Sequence, residues 1–379
     1  MVQVNPEGRP RIVHFSPLAV IGGCEVNCLR LVEALSAYQH TVVVFGEPGP
    51  MSERWAAGGA RVTHLCAWDC GLRRLRASLT QWIGEHPAPA GVYYWSTSRL
   101  PTILNILTAW KAPTAVYLGN PIDSNRVYRL RLFAREFLDA IPSRTSLVAC
   151  SEQVAASHKK SFYFRRFPSS VIYNAVTPLF DAPHDYRALG KGDAPRIGMV
   201  ARLDQIKDHV TLIRALSEVS RTRPDVVVEF AGDGNLKTSL LAEVTRLKLE
   251  GRVRFLGLRD VQPLLAKWDI YVHSTTSREG MGTAVAEAMM AGLPCIVSDL
   301  PVMREVCGTF GAVYAKPGDP VELGGAILNL IQDPARRRVL GLAAQEEARR
   351  KFDLSSVARA YEGLMERGIP SPHQEGKPA

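Results

Sequence analysis

Short apolar runs recur along the chain, and most are followed by a glycine or small polar loop and then by residues at helical spacing. Arg11–Phe15 (RIVHF) predicts a short buried strand. A glycine pair, Gly22-Gly23, follows it and leads into a helical pattern from Glu25 to Leu35. Thr41–Phe45 predicts the second strand. Further strands are predicted at Val92–Tyr94, Thr114–Leu118, Leu147–Cys150 and Ser170–Tyr173. The pattern lapses between Thr177 and Pro195, where Pro178, Pro183, Gly190, Gly192 and Pro195 predict a linker.

Past the linker the alternation restarts. Strands are predicted at Arg196–Val200, Val226–Ala231, Val253–Leu256, Ile270–His273 and Cys295–Ser298, with helices at 208–220 and 235–249. Residues 320–367 are helical in pattern, broken at Pro334. Strand and helix in alternation predict an α/β fold with parallel sheets. A single core rarely grows beyond roughly 250–300 residues, so 379 residues imply two domains. The expected division is 1–185 and 190–352, each a doubly wound Rossmann-like domain, with helix 353–369 packing back on the first.

Composition changes this picture little. Hydrophobic residues at 46% and charged residues at 22% exclude a disordered, collagen-like or coiled-coil chain. No apolar run reaches the roughly 18 residues of a membrane span. Met1–Arg11 is polar and has no apolar signal segment, so a cytoplasmic location is expected. The seven cysteines lack a framework. Neither Cys24/Cys28 nor Cys66/Cys70 has a second pair at zinc spacing, and free buried thiols are expected.

Charge adds a lead. The net is +9, of which residues 1–190 carry +7 and residues 191–379 carry +2. Arg126, Arg129, Arg131, Arg135, Arg144, Lys159, Lys160, Arg165 and Arg166 concentrate it. A solvated basic face explains them. So does attraction to an anionic membrane, a phosphorylated acceptor or an acidic glycan. Nucleic acid is not expected, because Phe162, Tyr163, Phe164 and Phe167 interleave there without any nucleic-acid motif.

The chemistry concentrates in Ser277–Asp299, SREGMGTAVAEAMMAGLPCIVSD. A predicted strand ends in a polar loop, and Gly280 and Gly282 allow close backbone approach to a ligand. Thr283 is the expected N-cap of a helix through Met290 that ends at Gly292 and Pro294. A glycine loop feeding a helix N-terminus past a parallel strand offers N–H groups and a positive dipole end to an anion. Glu279 and Glu287 flank that position, and each can grip hydroxyls on one side of a diphosphate. A second loop, after Arg196–Val200, carries Arg202 and Lys207, a planar fork and a point charge suited to phosphate. Gly22 and Gly23 are candidates for closing the other side. Ala231-Gly232-Asp233-Gly234 lacks the third glycine of a dinucleotide fingerprint.

Residues 196–300 resemble the donor domain of the family-4 retaining glycosyltransferases. The stretches that carry this are GMVARLDQIKDHVTLIRAL, FAGDGN, RFLGL and WDIYVHSTTSREGMGTAVAEAMMAGLPCIVSD. The Glu-x7-Glu pattern of Glu279 and Glu287 is the most specific. FSPLAVIGGCEVNCLRLVEAL, LVACSEQVAAS and VIYNAV resemble the family's first half more loosely. The resemblance implies a GT-B fold, two domains facing a central cleft, and transfer of sugar from a nucleoside diphosphate, UDP ahead of GDP, to a hydroxyl acceptor. It implies that Arg202 and Lys207 bind the diphosphate, Glu279 the donor sugar and Glu287 the ribose. Gly280, Met281, Gly282 and Thr283 would border the phosphate, and Gly257 and Leu258 the base. No metal or cofactor is implied, and the chain lacks an Asp-x-Asp pair beside these residues.

The family's acceptor-side His is missing from Val116–Asn120, where Asn120 or Tyr117 is the candidate replacement. His14 reads as a core residue. A sugar-nucleotide epimerase or hydrolase, or a non-catalytic nucleotide-sugar-binding partner, remains an alternative.

Overall fold

The computed structural model describes residues 9–122, 144–178, 184–276 and 278–366. Arg126, Arg129, Arg131, Arg135, Ser277 and residues 367–369 of the last predicted helix lie outside them. The chain forms two compact units. It passes from the first to the second between Ala175 and Val176, and returns between Asp353 and Leu354.

The first unit is built on seven strands: β1 (Arg11–Ser16), β2 (Gln39–Phe45), β3 (Arg61–Leu65), β4 (Gly91–Tyr94), β5 (Thr114–Leu118), β6 (Thr145–Ala149) and β7 (Ser169–Val171). All pair in parallel, in the order β3-β2-β1-β4-β5-β6-β7. The second holds six: β8 (Arg196–Val200), β9 (Val227–Ala231), β10 (Val253–Gly257), β11 (Ile270–His273), β12 (Cys295–Ser298) and β13 (Val313–Ala315). They too are parallel, in the order β10-β9-β8-β11-β12-β13. Each unit is therefore a Rossmann-like doubly wound sheet. The order reverses at β1/β4 and at β8/β11, the places where such sheets take ligands at their carboxyl ends.

The central strands are buried because both faces are covered by helices. Ile12, Val13, Phe15 and Val42–Phe45 have no exposure in the first unit. Ile197, Met199, Val228, Phe230, Ile270 and Val272 have none in the second. Gly198 makes room on β8 for Trp268: a Cβ there would lie 1.9 Å from the indole. The Trp268 N–H donates to Glu229 at 2.8 Å, and Arg254 pairs with the same carboxylate at 3.1 Å.

Residues past 184 are pinned to the second unit. The Tyr186 hydroxyl donates to the Gly292 carbonyl at 2.7 Å, and Arg187 forks onto Asp269 at 3.1 and 3.2 Å. The last described helix, Leu354–Glu366, belongs to the first unit. Its Tyr361 is buried against Tyr93 and Trp95, and the Tyr93 hydroxyl donates to the Tyr361 carbonyl at 2.9 Å.

Two edge strands escape the apolar pattern. β3 (RVTHL) is half-exposed and carries Arg61, Thr63 and His64, and β13 is only three residues long. Helices Pro50–Ala57, Leu72–Glu85, Leu100–Leu107 and Glu152–Lys159 complete the first unit beyond the elements predicted for it.

Candidate active site

The register of β8 on β11, Ile197 to Ile270 and Gly198 to Tyr271, ends both strands at one level. The loops that leave them are stitched together. The Asp208 N–H donates to the Ser274 carbonyl at 3.1 Å, the Thr276 N–H to the Ile206 carbonyl at 3.0 Å, and the Thr275 N–H to the Ser298 hydroxyl at 2.9 Å. Asp204 turns its carboxylate back to accept from the Ile206 and Lys207 amides at 3.0 and 3.2 Å. That turn aims Lys207 across at the β11 loop.

Gly232 and Gly234 form the floor of the Lys207 loop. A Cβ on Gly232 would come 2.0 Å from the Ala201 carbonyl, and one on Gly234 2.4 Å from the Leu203 carbonyl. The Leu203 N–H donates to the Asp233 carbonyl at 3.0 Å. The glycines of the AGDG stretch are there for backbone contact, not for a dinucleotide.

Glu279 is the focus. Its carboxylate is buried, and three donors converge on Oε2. They are the Lys207 ammonium, the His273 imidazole at 3.0 Å and the Thr275 hydroxyl at 3.1 Å, whose one hydrogen is shared with the Ile206 carbonyl, also at 3.1 Å. Oε1 accepts from the Gly280 amide at 3.2 Å. Burial pushes the Glu279 carboxyl up, but the Lys207 charge and the His273 hydrogen bond outweigh it, and the group ends well below the usual carboxylate range. Burial, then the nearby ammonium, hold His273 below its ordinary value despite the carboxylate. The neutral ring must carry its proton on Nε2 to donate to a carboxylate, which leaves Nδ1 a lone pair. Nδ1 has no hydrogen-bond partner among the described residues. A second buried imidazole, His209, holds the Lys207 carbonyl at 2.8 Å, and burial brings it down to about 4.

The remaining predicted residues fall as follows. Arg202 is exposed and pairs with Asp204 at 2.9 Å, and the same carboxylate accepts from the Lys207 backbone amide. Gly280 and Met281 are buried. Gly282, not Thr283, is the N-cap of helix Thr283–Met290. It sits at φ +74°, where any side chain is strained, and Thr283 becomes the first helical residue. Glu287 is half-buried one turn into that helix. Gly257, at φ +70°, accepts from the Gly232 amide at 2.9 Å at the end of β10, and the Leu258 side chain is exposed.

Four candidates, Gly22, Gly23, Tyr117 and Asn120, belong to the first unit. Gly22 is the N-cap of helix Gly23–Ala34, and Gly23 is its first residue. A Cβ on Gly22 would lie 2.5 Å from the Glu25 carboxylate, so a side-chain acid overlies this N-terminus. Asn120 is exposed just past β5. Tyr117 does not present its hydroxyl: it is buried, donates to Asn174 at 2.9 Å, and burial raises it well above the ordinary value. His14 is core. The Trp95 N–H donates to its Nδ1 at 3.2 Å, its Nε2 meets His40 Nδ1 at 2.9 Å, and His40 Nε2 meets the Leu35 carbonyl at 2.9 Å. One neutral tautomer of each ring satisfies the whole series.

Sequence reasoning missed His273 and Thr275. A histidine closing an apolar strand reads as core, and the only available signal was its place at the carboxyl end of β11, six residues before Glu279.

Residues 194–333 match the family model described as Glycosyl transferases group 1. The lipopolysaccharide core biosynthesis glycosyltransferase LpsE of Rhizobium meliloti is 30% identical over 360 residues, covering 94% of this chain and 98% of that protein. The GDP-mannose-dependent monoacylated alpha-(1-6)-phosphatidylinositol monomannoside mannosyltransferase of Corynebacterium glutamicum is 25% identical over 291 residues, 72% of this chain and 75% of that one. Among solved structures, Anabaena HepE in complex with UDP and glucose matches with a TM-score of 0.81 at 21% identity, over 94% of this chain and 100% of that one. At that identity the likeness is one of fold.

Proposed function

The chain belongs to the group 1 glycosyltransferases and has the GT-B fold, and from that premise we propose that it is a metal-independent, retaining transferase whose donor site is the β8/β11 switch point. In this reading Lys207 and Arg202 take the diphosphate of a nucleotide sugar. The backbone of Gly280–Thr283 borders the phosphate, Glu279 grips the donor sugar, Glu287 the ribose, and Gly257 and Leu258 the base.

The observation that supports this best is the state of Glu279. It is held ionised, with Oε2 occupied by three protein donors and Oε1 by one amide. A carboxylate held this way accepts hydrogen bonds from sugar hydroxyls and has no proton to give. Epimerisation or acid-assisted hydrolysis needs a group that donates one. Transfer instead needs charge stabilisation of a departing diphosphate, which preorganised cations and dipoles supply without a metal.

The test is release of nucleoside diphosphate from UDP-, GDP-, ADP- and dTDP-sugars in the presence of EDTA. Uridine and guanosine come first, since the HepE complex contains UDP and the corynebacterial relative uses GDP-mannose. Release from one donor, lost in Glu279→Gln, is expected. Activity that needs added divalent metal would overturn the metal-free reading.

For the acceptor we propose an anionic or lipid-linked glycan. Lys159, Lys160, Arg165 and Arg166 are exposed beside half-exposed Phe162, and the Arg165 guanidinium lies 4.5 Å over the Phe162 ring. No helix among the described residues is long and apolar enough to cross a membrane, so contact would be peripheral. Co-sedimentation with phosphatidylglycerol vesicles at low salt, abolished by salt, is expected; equal binding to neutral vesicles would refute an electrostatic contact.

A further inference from the structure

Cys66 and Cys70 depart from the expectation of buried thiols. Both are half-exposed, and their Sγ atoms lie 3.1 Å apart. Cys66 is the first residue past β3, and a turn closed by the Cys70 N–H on the Ala67 carbonyl at 3.0 Å brings Cys70 back over it. Gly71, at φ +83°, then starts the chain into helix Leu72–Glu85. A disulfide needs an S–S distance of about 2.05 Å, so an approach of roughly 1 Å would join the pair. Ala67 and Asp69 between them are exposed.

The other five cysteines are placed differently. Cys28, Cys150, Cys295 and Cys307 are buried, and Cys24 donates to the Trp95 carbonyl at 3.2 Å. Burial pushes the thiols of Cys24, Cys28 and Cys295 well up, and that of Cys307 to about 12. Cys70 is also raised, by desolvation and by Cys66, but Arg74 and Arg99 work in favour of its thiolate.

We propose that Cys66 and Cys70 are a modification site: they close reversibly into an intrachain disulfide by exchange with a low-molecular-weight disulfide such as oxidised glutathione. One cysteine thiolate attacks the glutathione S–S bond, forms a mixed disulfide and expels one glutathione. The second cysteine attacks the mixed disulfide at the first cysteine's sulfur and expels the other glutathione. The two cysteines lose two electrons and two protons, and the two glutathione thiols take them up. Ring closure over so short a segment has an effective concentration on the order of millimolar or higher, so the mixed disulfide is short-lived. The bond would fix the turn that carries Trp68. That indole packs on Phe45 at 5.2 Å and lies 4.9 Å beneath the Arg99 guanidinium, just past β4. None of this depends on the donor-site reading.

The experiment treats the native full chain with oxidised glutathione, alkylates the remaining thiols and digests with trypsin. One peptide, Val62–Arg73, contains both cysteines. It is expected two hydrogens lighter and unalkylated, and doubly alkylated after dithiothreitol. Cys66→Ser and Cys70→Ser should each stop at a single glutathione adduct. A doubly alkylated wild-type peptide after oxidation, a persistent glutathione adduct on it, or linkage to another cysteine would each overturn the proposal.

Discussion

At the scale of single residues, the Glu279 carboxylate sets the terms. Removing Lys207 would leave a buried anion without its counter-charge, at a cost of about 3–5 kcal/mol. A Lys207→Ala variant would then confuse loss of fold with loss of chemistry. Glu279→Gln keeps the shape while removing the charge, and because it too leaves the Lys207 ammonium unpaired, its fold is checked by melting before turnover is read. Its turnover is expected to fall by about 10²–10³-fold, with nucleoside diphosphate still raising the melting temperature. In the proposed reading His273 acts through Glu279 as a positioning residue. His273→Leu should lower kcat about 10-fold or more for the loss of one charged hydrogen bond of about 1.5–3 kcal/mol, with KM for the donor little changed. His273→Gln, whose amide N–H can replace Nε2–H, should recover most of it. Equal rates for the Leu and Gln variants would show that the hydrogen bond has no such role.

At the scale of elements, legibility followed burial. Thr114–Leu118, Arg196–Val200, Ile270–His273 and Cys295–Ser298 stand where their apolar runs predict them, because strands covered on both faces must be apolar throughout. β3 was not legible because a half-exposed edge strand need not be apolar, and β13 because it is apolar but only three residues long. Lys207 and Glu279 stood out in the sequence as candidates, yet their contact was not legible there. It arises from the β8/β11 register and from the glycine floor beneath residues 201–203. His273 was hidden because burial and ligand-edge placement leave the same mark in a sequence. The floor makes a prediction. Gly234→Ala must displace the Leu203 backbone, and with it the Lys207 loop, while leaving the sheet intact. Nucleotide affinity should drop about 10-fold, or 1.4 kcal/mol, measured by titration calorimetry on a protein with an unchanged far-ultraviolet spectrum. Unchanged affinity would mean that the loop is not part of the donor grip.

At the scale of the whole molecule, six histidines among the described residues are held below their ordinary value, chiefly by burial: His14, His40, His158, His184, His209 and His273. Each is neutral when folded and takes a proton more readily when unfolded. Their contribution is therefore complete above the unfolded value of about 6.5 and is lost as pH falls below it. For His209 alone, held near 4, the loss by pH 5 is about 2 kcal/mol. Urea midpoints should fall steeply between pH 7 and pH 5; a flat profile would mean that these rings are charged in the fold. A second prediction concerns the returning helix. Truncation after Asp353 strips Tyr361 from Tyr93 and Trp95, and should lower the melting of the first unit while leaving Val176–Asp353 nearly unchanged. Hydrogen exchange resolved by segment would separate the two.

The same returning helix governs the order of events during synthesis. A chain leaves the ribosome from its amino end, and domains commonly fold as they emerge. Here the first unit lacks Leu354–Glu366 until the whole of the second has been translated, whereas the second unit is contiguous and complete before that helix is made. The nascent chain therefore carries its first sheet with the seat for Tyr361 open for as long as the second takes to be built. Chaperones that recognise exposed aromatic surface would find their target in the unit translated first, and a stop codon between Asp353 and Tyr361 would damage that unit and spare the one translated just before the stop.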